Sequence, residues 1–459
     1  MELNKISGSF RDPSGFVFSH NETIYRAVTE IYRPHYDHLM GSGLYEKLAL
    51  ERLLIPHEEV SPPSGEAAGY YRILRPVPVP FISYPYEWCF PQLRDAALAV
   101  LRIQSIALDH GMTLKDATSF NVQFVRGSPC LIDTLSFEVY REGKPWSAYR
   151  QFVEHFLVPL ALASMQTPAW IQFLRVHPSG IPVGTAHAIL PFRTWLKFGL
   201  LVHIHLQALA IGLTRRGVLK DGASRRSFGK SSFYGLIDSL ERAVKSLKPP
   251  RPSTGWSRYY RTGAGPEYVE AKKQLTIQFL NAAGAGTIWD IGANDGSISR
   301  LAAGSGARVV SLDSDHACVA DNYCSVRAAG LENVLPLWVD ITNPTPSVGW
   351  NGTERFSLLD RSPADAVLAL ALVHHLAIGN NVPLDRIAVF FRRICKFLII
   401  EFVPKTDIHV KELLSTREDI FPGYNQESFE RAFDRHFSTL QSAEVARSGR
   451  TMYLLKIRE

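Results

Sequence analysis

With 459 residues the chain exceeds the size at which one hydrophobic core stops growing, so two domains are expected. Its 46% hydrophobic and 20% charged residues exclude a disordered chain, and a net charge of +6 permits an anionic partner without implying nucleic acid. The five cysteines, Cys89, Cys130, Cys318, Cys324 and Cys395, form no C-x-x-C pair, so no disulfide framework, zinc cage or other metal site is expected.

The opening MELNKISGSFRDPSG lacks the apolar core of a signal peptide, which together with the cysteine usage predicts a cytoplasmic protein. GFVFSHNETIYRAV, from Gly15 to Val28, reads as two strands around a His20-Asn21 turn. The prolines of YYRILRPVPVPFISY suit an edge strand. Leu93, Ala97, Val100, Leu101 and Ile103 make one buried face of a helix over Pro91 to Ala107. A hairpin over Val122 to Ile132 turns at Arg126-Gly127-Ser128.

From Ala148 to Leu213 the chain is mostly helical and apolar. Within it, Phe198 to Leu213 is the only run resembling a membrane span, but it is short and interrupted by His203, His205 and Gln207. A buried helix and no membrane partner are therefore expected. The stretch TRRGVLKDGASRRSFGKSS, Thr214 to Ser232, reads as a solvated flexible loop, with anion binding as the alternative. An amphipathic helix follows over Leu236 to Leu247, then an extended connector, Lys248 to Gly255. These marks divide the chain into a mixed α+β domain over 1–248, a linker and lead-in over 249–267, and a second domain over 268–459.

After Gly265 strands alternate with helices, the pattern of a doubly wound α/β domain built on a parallel sheet. Strands are predicted at Thr287–Asp290, Arg308–Asp313, Val334–Asp340, Ala366–Leu370 and Phe397–Phe402. The first runs into Asp290-Ile291-Gly292-Ala293-Asn294-Asp295-Gly296, where Gly292 and Gly296 let a ligand approach the backbone closely. A dinucleotide turn needs a third glycine, yet Ser299 stands at that position. The D-x-G-x-x-x-G pattern instead resembles the first motif of class I methyltransferases. That resemblance implies a Rossmann-like methyltransferase sheet whose turn, Asp290, Gly292, Asn294 and Gly296, holds the amino acid end of S-adenosylmethionine. It also implies that Asp313, ending the second strand, takes the ribose hydroxyls, and that Asp340 meets the adenine amino group. Each has a structural alternative: Asp290 capping the turn, Asp313 as a solvated loop acid, Asp340 as a strand-end residue.

The segment Ala364 to Leu376 resembles the family's fourth strand and the loop bearing its substrate-facing residues. His374 or His375 stands where a general base would lie, and Glu401, near the end of the fifth strand, is positioned to bond an acceptor. The alternatives are packing beside the cofactor for the histidines and a cap or loop role for Glu401. Trp256, Tyr259, Tyr260 and Tyr268 form an aromatic lead-in that either packs on the sheet or closes over the donor.

In the first half, Asp116 stands five residues before Asn121, and Asp133 follows twelve later in Leu131-Ile132-Asp133-Thr134. This spacing resembles protein kinases and aminoglycoside phosphotransferases, where a catalytic Asp, a metal-binding Asn and a metal-binding Asp are so arranged. The sequence departs from them in lacking a Gly-rich phosphate loop and an assignable β3 Lys, and in having Thr134 where protein kinases have Phe. These departures favour a degenerate kinase-like domain that recognises the methyl acceptor. The order of all these segments resembles a bacterial family of long methyltransferase-like proteins, nodulation proteins among them. The expected function is S-adenosylmethionine-dependent methyl transfer to an oxygen or nitrogen of a small molecule. The alternatives are a non-catalytic regulatory protein that binds the cofactor and a bifunctional protein with an active phosphotransferase.

Overall fold

In a computed structural model, which describes residues 4–63, 69–215, 229–249, 265–415 and 417–458, the chain packs as two units. The first comprises residues 1–250 with 348–355, and the second the rest. Trp256, Tyr259, Tyr260, the connector from Pro250 to Gly255 and most of the basic stretch, 216–228, lie outside the described residues.

The first unit opens with an antiparallel sheet of β1 (Asn4–Lys5), β2 (Gly15–His20), β3 (Thr23–Val28), β4 (His57–Val60) and β5 (Arg72–Pro76), in the order β1-β2-β3-β5-β4. The expected β2–β3 hairpin is present, its turn made by Asn21 and Glu22 at φ 47° and 61°, the left-handed pair that suits strand twist. β5 is not an edge: it pairs with both β3 and β4, and Pro76 falls at its last position, so the prolines beyond it cost the ladder no donor. β4, absent from the sequence reading, forms one edge of the sheet and β1 the other.

The expected helix is present as Phe90–Asp109, with Leu93, Ala97, Val100 and Leu101 buried. β6 (Met112–Leu114) pairs with β9 (Phe137–Val139), enclosing the predicted hairpin of β7 (Val122–Val125) and β8 (Ser128–Leu131), which turns through Arg126 and Gly127 at positive φ. Residues 348–355 join this unit through the Arg11–Glu354 ion pair and the Arg355 guanidinium, which lies 4.7 Å from the Phe120 ring centre. The helical run from Phe198 to Leu213 meets the expectation of a buried helix on one face only: Leu200, His203, Ile204 and His205 are buried, whereas Phe198, Leu206, Leu209 and Leu213 are exposed. The sequence does not distinguish which side of an apolar helix its neighbours cover.

The second unit is the expected doubly wound α/β domain. Its sheet comprises β10 (Thr287–Ile291), β11 (Arg308–Asp313), β12 (Val334–Trp338), β13 (Ala364–Ala369), β14 (Cys395–Phe402), β15 (Phe437–Glu444) and β16 (Thr451–Ile457). The order is β12-β11-β10-β13-β14-β16-β15, with β10 to β14 parallel and β16 antiparallel to both its neighbours. β15 and β16 have no counterpart in the sequence reading; β15 is a largely exposed edge of mixed polarity. Alternate strand residues such as Ile288, Val309, Ala366, Leu368 and Ile399 share one core with helices Pro266–Ala283 and Ser297–Ala303. Val367, Ala369, Leu398 and Ile400 alternate with them and are also buried, and helix Leu384–Ile394 packs on β13 and β14 through Ile387, Ala388, Phe391 and Ile394. With both faces covered, ligands are left the rim at the carboxyl ends of the strands.

Candidate active site

Parallel register aligns those carboxyl ends, setting Ile291 beside Leu312 and Asp313 beside Trp338. β10 and β13 are neighbours while the chain continues from β10 to β11, so the strand order reverses here and opens the crevice in which such sheets bind ligands. The turn after β10 is fixed by two glycines at positive φ. A Cβ on Gly296 would stand 2.0 Å from Asn322 Oδ1, so no side chain fits there, and one on Gly292 would stand 3.3 Å from Leu372 in the loop after β13. Asn294 adopts φ 52° between them, its side chain accepting from the Asp295 amide at 2.7 Å.

Asp313 ties the turn to β11. Its Oδ2 accepts from the Asn294 amide at 2.7 Å and its Oδ1 from the Asp315 amide at 2.8 Å, and the Ser314 amide also bonds the carboxylate, which leaves acceptor capacity for a hydroxyl donor. Burial raises its pKa, opposed by those amides. Asp340 lies two residues past β12 and is exposed, its Oδ1 accepting from the Thr342 amide and hydroxyl at 2.8 and 2.7 Å. Asp290 is placed differently: it is buried beneath the turn, accepting from Ser299 Oγ at 2.6 Å, and burial pushes its pKa up to about 6. Ser299 also bonds Ser311 at 2.9 Å, so the residue at the absent third-glycine position braces the helix against two strands.

On the β13 side, His374 is fully buried and neither ring nitrogen has a hydrogen-bond partner. Burial holds its pKa well below the usual histidine range, so the ring is neutral. His375 is half-buried with its ring centre 4.0 Å from that of His374, and burial lowers it to about 4. An orphaned buried imidazole is an uncommon cost, of order 1–3 kcal/mol, and places an unmatched polar group beside the crevice.

Glu401 lies within a buried network. Lys272 pairs with its Oε2 at 2.8 Å, the Tyr268 hydroxyl donates to its Oε1, Arg450 Nη1 bonds Tyr268 at 2.7 Å, and Arg450 Nε bonds Asp407 at 2.8 Å. Burial alone would raise the Glu401 pKa, but Lys272 and Arg450 outweigh it and hold it below the usual value. Tyr268, from the aromatic lead-in, thus packs against the sheet core. Lys272, Arg450 and Asp407 are missing from the sequence reading. One signal was available: Lys272 falls four residues after Tyr268 and before Thr276 and Phe279, on the buried stripe of its helix, where a cation requires a partner.

In the first unit, Asp116, Asn121 and Asp133 are brought together. Asn121 hydrogen-bonds Asp116, whose pKa is raised by burial and then by nearby Asp133. Asn121 also donates to Ser136 Oγ at 3.3 Å, and Ser136 Oγ to Asp133 Oδ2 at 2.7 Å. Arg26 from β3 pairs with Asp133 Oδ1, which also accepts from the Leu135 amide at 3.1 Å. A divalent cation would have to displace that guanidinium. Among the described residues, no group of three or more His, Cys, Asp or Glu is placed to hold a metal ion.

No protein-family model matches the chain. The nodulation protein NoeA of Rhizobium meliloti (strain 1021) is 35% identical over 457 residues, covering 98% of this chain and 95% of that protein. Among solved structures, magnesium protoporphyrin IX methyltransferase (ChlM) from Synechocystis PCC 6803 is 19% identical, covering 45% of this chain and 95% of that one, at a TM-score of 0.33. The N-methyltransferase NodS from Bradyrhizobium japonicum WM9 is 9% identical, covering 42% and 98%, at 0.32. The bifunctional kinase-methyltransferase WbdD is 15% identical, covering 42% and 39%, at 0.30. With scores this low, the fold rests on the sheet itself, whose strand order is that of a doubly wound, Rossmann-like domain.

Proposed function

This chain belongs to the nodulation protein NoeA family, and we propose that its second unit is an S-adenosylmethionine-dependent methyltransferase acting on an oxygen or nitrogen of a small-molecule acceptor. One observation carries the reading: the Asp313 carboxylate at the end of β11 is held by the Asn294 amide of the glycine turn at 2.7 Å, so a backbone cradle and a hydroxyl-accepting acid share one rim. S-adenosylmethionine supplies a methyl group already activated by its sulfonium, leaving the protein to align donor and nucleophile and to take up a proton where the acceptor bears one. Asp313 takes the ribose hydroxyls, Asp340 the adenine amino group, and Gly292, Asn294 and Gly296 admit the amino acid end. Asp290 braces that turn from beneath. His375, neutral and half-buried, is the group that accepts a proton; Glu401 positions Lys272 and Tyr268.

The first unit is proposed as a degenerate kinase-like scaffold that recognises the acceptor. The Arg26–Asp133 pair favours this over an active phosphotransferase, because the acid that would bind metal is already neutralised.

Calorimetry of the full chain with S-adenosylmethionine tests the central reading. Binding is expected, weakened by Asp313→Ala by about 1–3 kcal/mol for unpaired ribose hydroxyls. Incubation with small-molecule extracts should then release S-adenosylhomocysteine. Absence of binding overturns the reading, and binding with no turnover in any extract replaces it with the regulatory one.

A further inference from the structure

We propose that one face of the first unit seats the protein on the surface of an anionic lipid bilayer. Phe192, Leu196 and Phe198 are 79%, 83% and 71% exposed, and all three lie within seven consecutive residues. Leu206, Leu209 and Leu213 continue the exposed apolar surface at spacings of three and four along the adjoining helix, which makes a single stripe.

The ridge cannot fold inward, because the space behind it is filled. Trp195 stacks on the buried His205 ring with centres 4.5 Å apart, and His205 Nε2 lies 2.8 Å from buried Thr194 Oγ1. That same contact joins residues 192–196 to the 201–206 turn. The apolar tips therefore stay outside the core at a standing hydration cost, as an exposed docking face does.

Charge selects the occupant. From His155 to Lys220 the sequence has no Asp or Glu, while Arg175, Arg193, Lys197, Arg215, Arg216 and Lys220 all fall within it. Arg193 and Lys197 are exposed and interleave with Phe192, Leu196 and Phe198. Apolar tips that enter the acyl boundary, with cations that reach back to phosphates, are the two components of interfacial membrane binding. A second copy is a poorer occupant, since self-pairing would oppose Arg193 and Lys197 to their own counterparts, like charge against like charge. No helix among the described residues is long and apolar enough to cross a membrane, so contact is at the surface.

The test is co-sedimentation of the full chain with phosphatidylcholine vesicles, alone or containing phosphatidylglycerol, with molecular mass in solution measured in parallel. Sedimentation with the anionic vesicles only is expected. The variant Phe192→Ser/Leu196→Ser/Phe198→Ser should lose it with an unchanged unfolding midpoint, and Arg193→Glu/Lys197→Glu should lower the partition by about tenfold or more. Failure of the wild type to sediment, equal binding to both vesicles, or wild-type binding by the serine variant each overturns the proposal. So does a dimer that the serine variant dissolves, which would assign the face to a second copy.

Discussion

Lys272 Nζ lies 2.8 Å from Glu401 Oε2, and the two side chains are 2% and 0% exposed. Helix Pro266–Ala283 is thereby fastened to the carboxyl end of β14 by a charge pair with no water to share the load. Removing Lys272 leaves the buried Glu401 only the Tyr268 hydroxyl and the more distant Arg450, so Lys272→Met is expected to cost about 3–5 kcal/mol in urea denaturation, and Lys272→Met with Glu401→Leu to recover much of it. A single variant within about 1 kcal/mol of wild type would show that the pair contributes little.

Asp290 has its pKa raised by burial from 3.8 to about 6, so the native state binds its proton more tightly than the unfolded chain does. The contribution of this group is greatest below the unfolded pKa and falls as pH rises through about 6, staying level above it. Asp290→Asn keeps an acceptor for Ser299 and removes the charge. At about pH 8 thermal unfolding should find it more stable than wild type by on the order of 1–3 kcal/mol, with the difference vanishing by about pH 4. A constant difference across pH would mean that the carboxyl ionises without penalty.

His375, lowered to about 4, is already neutral at physiological pH, whereas an ordinary histidine base would give a limb near 6.5. Turnover at saturating donor is therefore expected to stay flat from about pH 6 to 8 and to fall only toward the His375 value. His375→Ala should cut it by roughly 10²-fold or more with donor affinity retained. His374, with no exposed surface, cannot meet an acceptor, and His374→Ala should chiefly lower stability. Wild-type pH profiles in both variants exclude either imidazole as the base.

Arg26 and Asp133 make the corresponding case in the first unit. Manganese is expected to leave the wild-type unfolding midpoint unchanged, while Arg26→Ala, by freeing Asp133, should lose on the order of 1–3 kcal/mol and gain a manganese-dependent upward shift. A wild-type shift that disappears in Asp133→Asn would show that metal displaces the guanidinium.

Much of the second unit was legible because its strands are short apolar runs bounded by turn residues, and because Gly292, Gly296 and Asp313 fall where successive strand ends meet a common rim. The β7–β8 hairpin and the grouping of Asp116, Asn121 and Asp133 were legible for a related reason: a hairpin of fixed length closes that spacing. β15, β16 and the edge strand β4 were not, since each takes its place from distant partners rather than from its own periodicity. The same holds for burial. Phe198 to Leu213 is apolar enough for a core, and only the packing of Trp195 and His205 behind it decides that Phe198 and Leu206 face outward.

What the sequence determined by itself is local: the glycines that permit positive φ, the acids that end strands, the apolar spacing of each helix. What the tertiary structure alone decided is which charges meet, Lys272 with Glu401, Arg450 with Asp407 and Arg26 with Asp133, because ion pairing depends on distances of a few ångströms between residues far apart in the chain. Chain spacing fixes direction along one element, and only folding converts it into a separation between two.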